Sequence, residues 1–351
     1  MLFSISRSLV CGLLLALTHA VDIQLPTENR HLFSNEPQKF YMYVDRYFEG
    51  NHSQPWQAGS YGFVRTSVRV DNQIIETKFH EGIDIAPIKR DKAGNPLDLV
   101  SSIAAGKVAY ASLRTGASNY GKYVVIEHPW ENTSVYSLYA HLGEITCQVG
   151  DPVAKGAVIG RMGYTGSGIT RVRAHLHLEL ALMLSGRYVE YSAKMNNVHG
   201  LFNGMNLAGM DVAAFFHAQR DKTDLKISQF LASYPAYFKV TVPRDQPIEM
   251  ATRYPWMVRQ SADGHPTPSW EIAFSETGMP LTITASERTV AKPQITMVRP
   301  SPIPHSYRTR GLITGKGLEA SLSNDGLTLL NLLCGNFPAA AVPTTPTPLT
   351  N

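Results

Sequence analysis

The stretch RAHLHLEL, residues 173–180, constrains the fold more than any other in the chain. Apolar and polar residues alternate strictly through it, which is the period of a β-strand and not of a helix. On a strand, Leu176, Leu178 and Leu180 share one face and build a core. His175, His177 and Glu179 share the other face. Two imidazoles on one face either act together on one atom or form the polar side of a half-buried strand, and this stretch alone leaves both open. Its surroundings read as strands too. GKVAYASL, KYVVIEH and TSVYSLYAHL are rich in β-branched and aromatic residues and bounded by Gly, Asn and Pro. No long amphipathic helix interrupts residues 61–189, so this region is expected to be mainly β.

With 351 residues the chain is long enough for about two domains. Charged residues make up 17 % and the formal net charge is +4, without a block of like charges, which argues against a nucleic-acid binder. Residues 1–20, MLFSISRSLVCGLLLALTHA, read as a secretory signal peptide: Arg7, a short apolar run, then Thr18-His19-Ala20. The run is short for a membrane span. The expectation is an exported protein, periplasmic or extracellular. Export permits a disulfide between Cys147 and Cys334, and two buried free thiols are the alternative.

Residues 21–57 form a polar and aromatic N-terminal segment. The β-rich domain is expected over 58–195. From 196 to 337 the texture is mixed α+β: Asp211 is placed to cap VAAFFHAQ, Asp224 to cap LKISQFLASY, and Gly335 to end LTLLNLLC. AYFKVTVP, SWEIAF and PLTITAS read as strands. The last residues, 338–351, are a Pro/Thr/Ala-rich tail expected to be disordered.

Two further histidine segments lie upstream. In KFHEGIDIAP, His80 and Asp84 share parity on a strand, with Gly82 leaving a gap between them. In SLYAHLG, strand parity puts Tyr139 and His141 on one face and Leu138, Ala140 and Leu142 on the other. Three ligands and one open position make a catalytic zinc site. His80, Asp84 and one histidine of HLH supply two nitrogens and an oxygen. The two remaining histidines suit proton transfer and oxyanion stabilisation near neutral pH.

HEGID, YAHL and HLHLE, in this order and spacing, resemble the LytM/lysostaphin-type zinc metallopeptidases over roughly residues 58–190. The flanking phrases SSIAAGKVAYA, YGKYVVIEH and VGDPVAKGAVIGRMGYTGSG share in the resemblance. It implies an antiparallel β-sheet crossed by a groove, and cleavage of peptides in bacterial peptidoglycan. Position by position it implies His80, Asp84 and His177 as ligands of one Zn2+, and His141 and His175 as the catalytic pair. It also makes Glu179 a candidate to orient a ligand, and residues 21–57 a candidate pro-segment.

The chain departs from the family pattern in two places. The run before HLH, TGSGITRVRAHLH, is longer and carries Arg171 and Arg173, and the loop after Asp84, IKRDKAGNPLDLV, is expanded. The family also contains non-catalytic members that regulate wall amidases. These usually lack the zinc ligands, whereas this chain has all three. A zinc peptidase acting on a peptide outside the wall is a third reading.

Overall fold

A computed structural model describes residues 21–245 and 248–337. The expected signal peptide and the expected tail lie outside the described residues. The fold is mainly antiparallel β. A hairpin of β1 (Gly62–Val70) and β2 (Gln73–His80) leads into the short strand β3 (Ile83–Ile85). Next come β4 (Leu99–Ser101), β5 (Gly106–Ser112), β6 (Tyr123–Trp130), β7 (Thr133–Ala140), β8 (Leu142–Ile145), β9 (Val158–Met162), β10 (Leu176–Met183) and β11 (Leu207–Met210). The main sheet runs in the order β5, β6, β7, β10, β11, with β3 also paired to β10 and the short strand Pro152–Val153 at the β5 edge. A small sheet of order β8, β9, β4 completes this part.

β10 lies between neighbours on both sides, so its backbone is fully paired and its alternation is enforced. Leu176, Leu178, Leu180 and Leu182 are buried in the larger core cluster. Burying each such side chain is worth about 1.5–3 kcal/mol relative to leaving it exposed. The other face carries His175, His177 and Glu179, then Ala181 and Met183 against Tyr136, Leu138, Ala140 and Leu207. Here the sequence parity holds.

β11 lies beyond the boundary expected at 195/196, yet it completes the main sheet, with Leu180 opposite Met210 and Met183 opposite Leu207. The link between β10 and β11 folds back over the sheet. Tyr123 donates to Phe202 O, and Phe202 stacks on Tyr110. The N-terminal segment is likewise tied in. Met42 N donates to Asp84 O and Ala86 N to Phe40 O, so this backbone flanks β3.

Helix α1 (Val212–Asp221) starts where expected, with Asp211 accepting from Ala214 N at 2.9 Å. The cap expected at Asp224 does not form. Helix α2 (Ile227–Ala232) begins after Lys226, whose backbone N–H is taken by the Gln229 side chain. β12 (Phe238–Pro243), β13 (Ser269–Phe274), β14 (Pro280–Ser286) and β15 (Gln294–Val298) build a second sheet with Val258–Arg259; β12, β13 and β14 are the three strands expected, and the other two were not read from the sequence. Helix α3 (Asn324–Cys334) is capped by Ser323 and ends at Gly335 in the left-handed conformation, φ 63°. Cys147 and Cys334 are free thiols, each half-buried. Among the described residues no helix is long and apolar enough to cross a membrane.

Candidate metal and catalytic site

Register places the site. In β10, His177 sits opposite Asp84 of β3 on one side and Ala140 of β7 on the other. His80 ends β2, and the chain bends at Glu81-Gly82 before β3 begins. The single strand expected from His80 to Asp84 is therefore broken into two. Gly82 does not leave a gap for a ligand. It lets the bend lie against β10, where a Cβ would come within 2.4 Å of Leu178 O.

The bend brings His80 and Asp84 together. His80 Nε2 lies 3.1 Å from Asp84 Oδ1 and 3.1 Å from His177 Nδ1, and His177 Nδ1 lies 2.9 Å from Asp84 Oδ1. The opposite ring nitrogens are already committed. His80 Nδ1 donates to Ser60 O at 2.8 Å, and His177 Nε2 donates to Glu179 Oε1 at 2.9 Å. In the neutral rings, then, two nitrogen lone pairs and a carboxylate oxygen face one another about a common point. Such an arrangement is repulsive unless a proton or a cation lies between them. A tetrahedral ion at about 2.0–2.1 Å from its donors sets them roughly 3.3 Å apart, close to this spacing. The borderline N/N/O set suits zinc.

A proton can take the same place as a cation. Burial works against charge on His177, but hydrogen bonds to Asp84 and Glu179 outweigh it and raise its pKa to about 10. Burial lowers the pKa of His80 against the opposing pull of Asp84. Burial also disfavours the Asp84 carboxylate, yet His80, His175 and Arg65 together hold its pKa well below the ordinary value.

His141 and His175 stand beside this group with ring centroids 4.7 Å apart. Strand parity would have sent His141 to the core side with Tyr139, which is fully buried and takes the Ile103 N–H on its hydroxyl. Instead His141 has φ 61°, a left-handed residue just past the end of β7, and this reverses its direction into the site. The shared face expected for Tyr139 and His141 is thus corrected. His141 Nδ1 donates to Thr165 O at 2.9 Å and His175 Nδ1 to Arg173 O at 2.6 Å. Both rings are thereby fixed in the tautomer that leaves Nε2 free. Burial, then His175 and His177, holds the pKa of His141 well below the usual value.

All five side chains therefore converge. Glu179, fully buried, links His177 to Tyr120, whose hydroxyl donates to Glu179 Oε1 at 2.6 Å. Sequence reasoning assigned no role to Tyr120 or Arg65. Tyr120 opened the quoted phrase YGKYVVIEH, but nothing in that phrase signals its partner. Arg173 is half-buried and donates to Tyr43 O, and Arg171 is exposed. The two expanded loops are stapled by Arg90, which donates to Gly94 O, Arg171 O and Val172 O. His128 and His199 lie apart from the site, as structural residues. His217 packs edge-on to Phe33.

Residues 78–190, which include all five side chains, match the model of peptidase family M23. No curated protein matches the chain. Among solved structures, the chain is 21 % identical to the catalytic domain of the antimicrobial peptidase lysostaphin from Staphylococcus simulans. That likeness covers 50 % of this chain and 92 % of the other, with a TM-score of 0.28. The catalytic domain of the prophage-encoded M23 protein EnpA from Enterococcus faecalis is 24 % identical, over 34 % of this chain and 75 % of that one, with a TM-score of 0.25. A zinc-containing peptidase from Vibrio cholerae is 25 % identical, over 40 % and 36 %, also with a TM-score of 0.25.

Proposed function

We propose that the LytM-type M23 peptidase domain carried by this chain is a zinc-dependent endopeptidase that is exported and hydrolyses peptide bonds in bacterial peptidoglycan. The observation that carries the reading is the convergence of His80 Nε2, Asp84 Oδ1 and His177 Nδ1, with two further imidazoles fixed beside them in one tautomer. His80, Asp84 and His177 would hold one Zn2+. Bound zinc supplies Lewis acidity, polarising a scissile carbonyl and lowering the pKa of a water toward neutrality.

The remaining work falls to His141 and His175. Asp84 Oδ1 lies 3.4 Å from His175 Nε2, and burial, then His175 and His177, disfavours a proton on His141. Neutral His141 accepts the proton of the attacking water at its free Nε2, and the pair, once protonated there, donates to the developing oxyanion and the leaving amine. Glu179 and Tyr120 orient His177, and the Ser60 carbonyl orients His80. Peptide bonds of the wall are the substrate class, reached after removal of residues 1–20.

A second reading, a non-catalytic LytM-type protein that regulates a wall hydrolase through contacts, draws on burial. His141 is the most exposed of the five side chains at 7 %. His141→Ala and His175→Ala separate the two. The proposal expects each to abolish release of soluble muropeptides from purified sacculi while the zinc content stays at one per chain. Release at the wild-type rate from either variant would remove its catalytic role. Stimulation of an amidase by protein that itself cuts nothing would establish the second reading.

A further inference from the structure

Arg65 has no part in the chemistry above, yet it reaches the centre of the site. Its Nη2 pairs with Asp84 Oδ2 at 2.5 Å, and its Nε donates to Ala58 O at 2.8 Å. The hairpin is built to deliver it. The register between β1 and β2 slips between Phe63 and Arg65, and Thr66 follows in the left-handed region at φ 62°. A bulge of this kind turns a side chain away from the direction that plain alternation would give it.

The Asp84 carboxylate is shared out as a result. Oδ1 is turned toward His80, His177 and His175. Oδ2 belongs to Arg65. Carboxylates bind metal ions through one oxygen or through both, and a site with an open position for water needs the economical mode.

We propose that Arg65 is a positioning residue for Asp84: by holding Oδ2 it leaves only Oδ1 to the metal, and by gripping Ala58 O it keeps the carboxylate plane fixed. The inference rests on the reading that His80, Asp84 and His177 bind a metal. Two opposite effects make it testable. A guanidinium on the same carboxylate repels a cation, so if charge dominated, removing Arg65 would tighten metal binding. If positioning dominates, removal weakens it. An ion pair serving only the fold would change thermal stability and leave the coordination alone.

The experiment compares wild type, Arg65→Gln and Arg65→Lys as full mature chains. Zn2+ affinity is read by chelator competition, and the visible absorption of the Co2+-loaded proteins reports coordination number. Arg65→Gln is expected to weaken Zn2+ binding about 10–100-fold. It should also weaken the Co2+ bands, as Oδ2 joins the coordination shell. Lysine cannot hold Ala58 O and Asp84 Oδ2 at once, so Arg65→Lys should fall between the two. It decides the matter if the glutamine variant does not fold. Folded variants with wild-type affinity and spectrum, or with tighter binding, overturn the role of Arg65. Wild-type protein that takes up neither Zn2+ nor Co2+ overturns the metal reading, and this inference with it.

Discussion

His177 and Asp84 are register partners across β10 and β3, and their Nδ1 and Oδ1 atoms lie 2.9 Å apart. A residue near the C-terminal side of the domain and one nearly a hundred positions earlier are thus joined by backbone pairing before any ion binds. A site on paired strands is held more rigidly than one on loops.

Gly82 makes that pairing possible. A methyl group there meets Leu178 O, Glu179 Cγ and His177 Cε1 at 2.4, 2.9 and 3.0 Å. Gly82→Ala is therefore expected to push β3 off β10, costing about 1–3 kcal/mol. Metal affinity should fall with it. Chemical denaturation and chelator competition on the same protein check this. A variant with unchanged stability and affinity would show that the close approach at Gly82 does not hold β3 against β10.

Glu179 fixes the ring of His177 through Nε2. Glu179→Gln keeps the shape but loses the charge, and should weaken zinc binding about tenfold or more. Tyr120→Phe removes only the hydroxyl that donates to Glu179 and should cost less. Equal affinities in all three proteins would leave Glu179 without a role at the metal.

His128 sets part of the acid sensitivity, away from the metal group. Burial lowers its pKa from 6.5 to about 4. Its Nδ1 donates to Ala105 O and its Nε2 faces Ser137 Oγ at 2.7 Å. A histidine whose pKa is depressed on folding favours the native state fully above pH 6.5, and that contribution is lost as pH falls toward 4. The shift corresponds to about 3 kcal/mol. Denaturation midpoints between pH 7 and 4.5 should therefore fall more steeply for wild type than for His128→Asn. Parallel profiles would contradict it.

How far the site could be read from sequence depended on local backbone regularity. HLHLE was legible because β10 is paired on both sides and alternates without interruption. His80 and Asp84 were legible as partners, but not the bend between them, since the role of Gly82 is fixed by contact with β10. The face of His141 was misread because one left-handed residue reverses parity, and histidine carries no mark of it. Arg65 was invisible for a similar reason: a bulge re-aims it, and its partner lies on another strand. In the C-terminal part the strand readings held, whereas the start of α2 was settled by the Gln229 side chain and not by Asp224. The place of β11 in the main sheet could not be read from four residues, LAGM, that carry no alternation.

The most direct measurement is zinc content by elemental analysis on the purified mature protein and on His177→Ala, with muropeptide release from sacculi assayed on the same samples. One zinc per wild-type chain is expected, with loss of both zinc and release in the variant. Wild-type protein with little zinc, or release that survives the substitution, would contradict it.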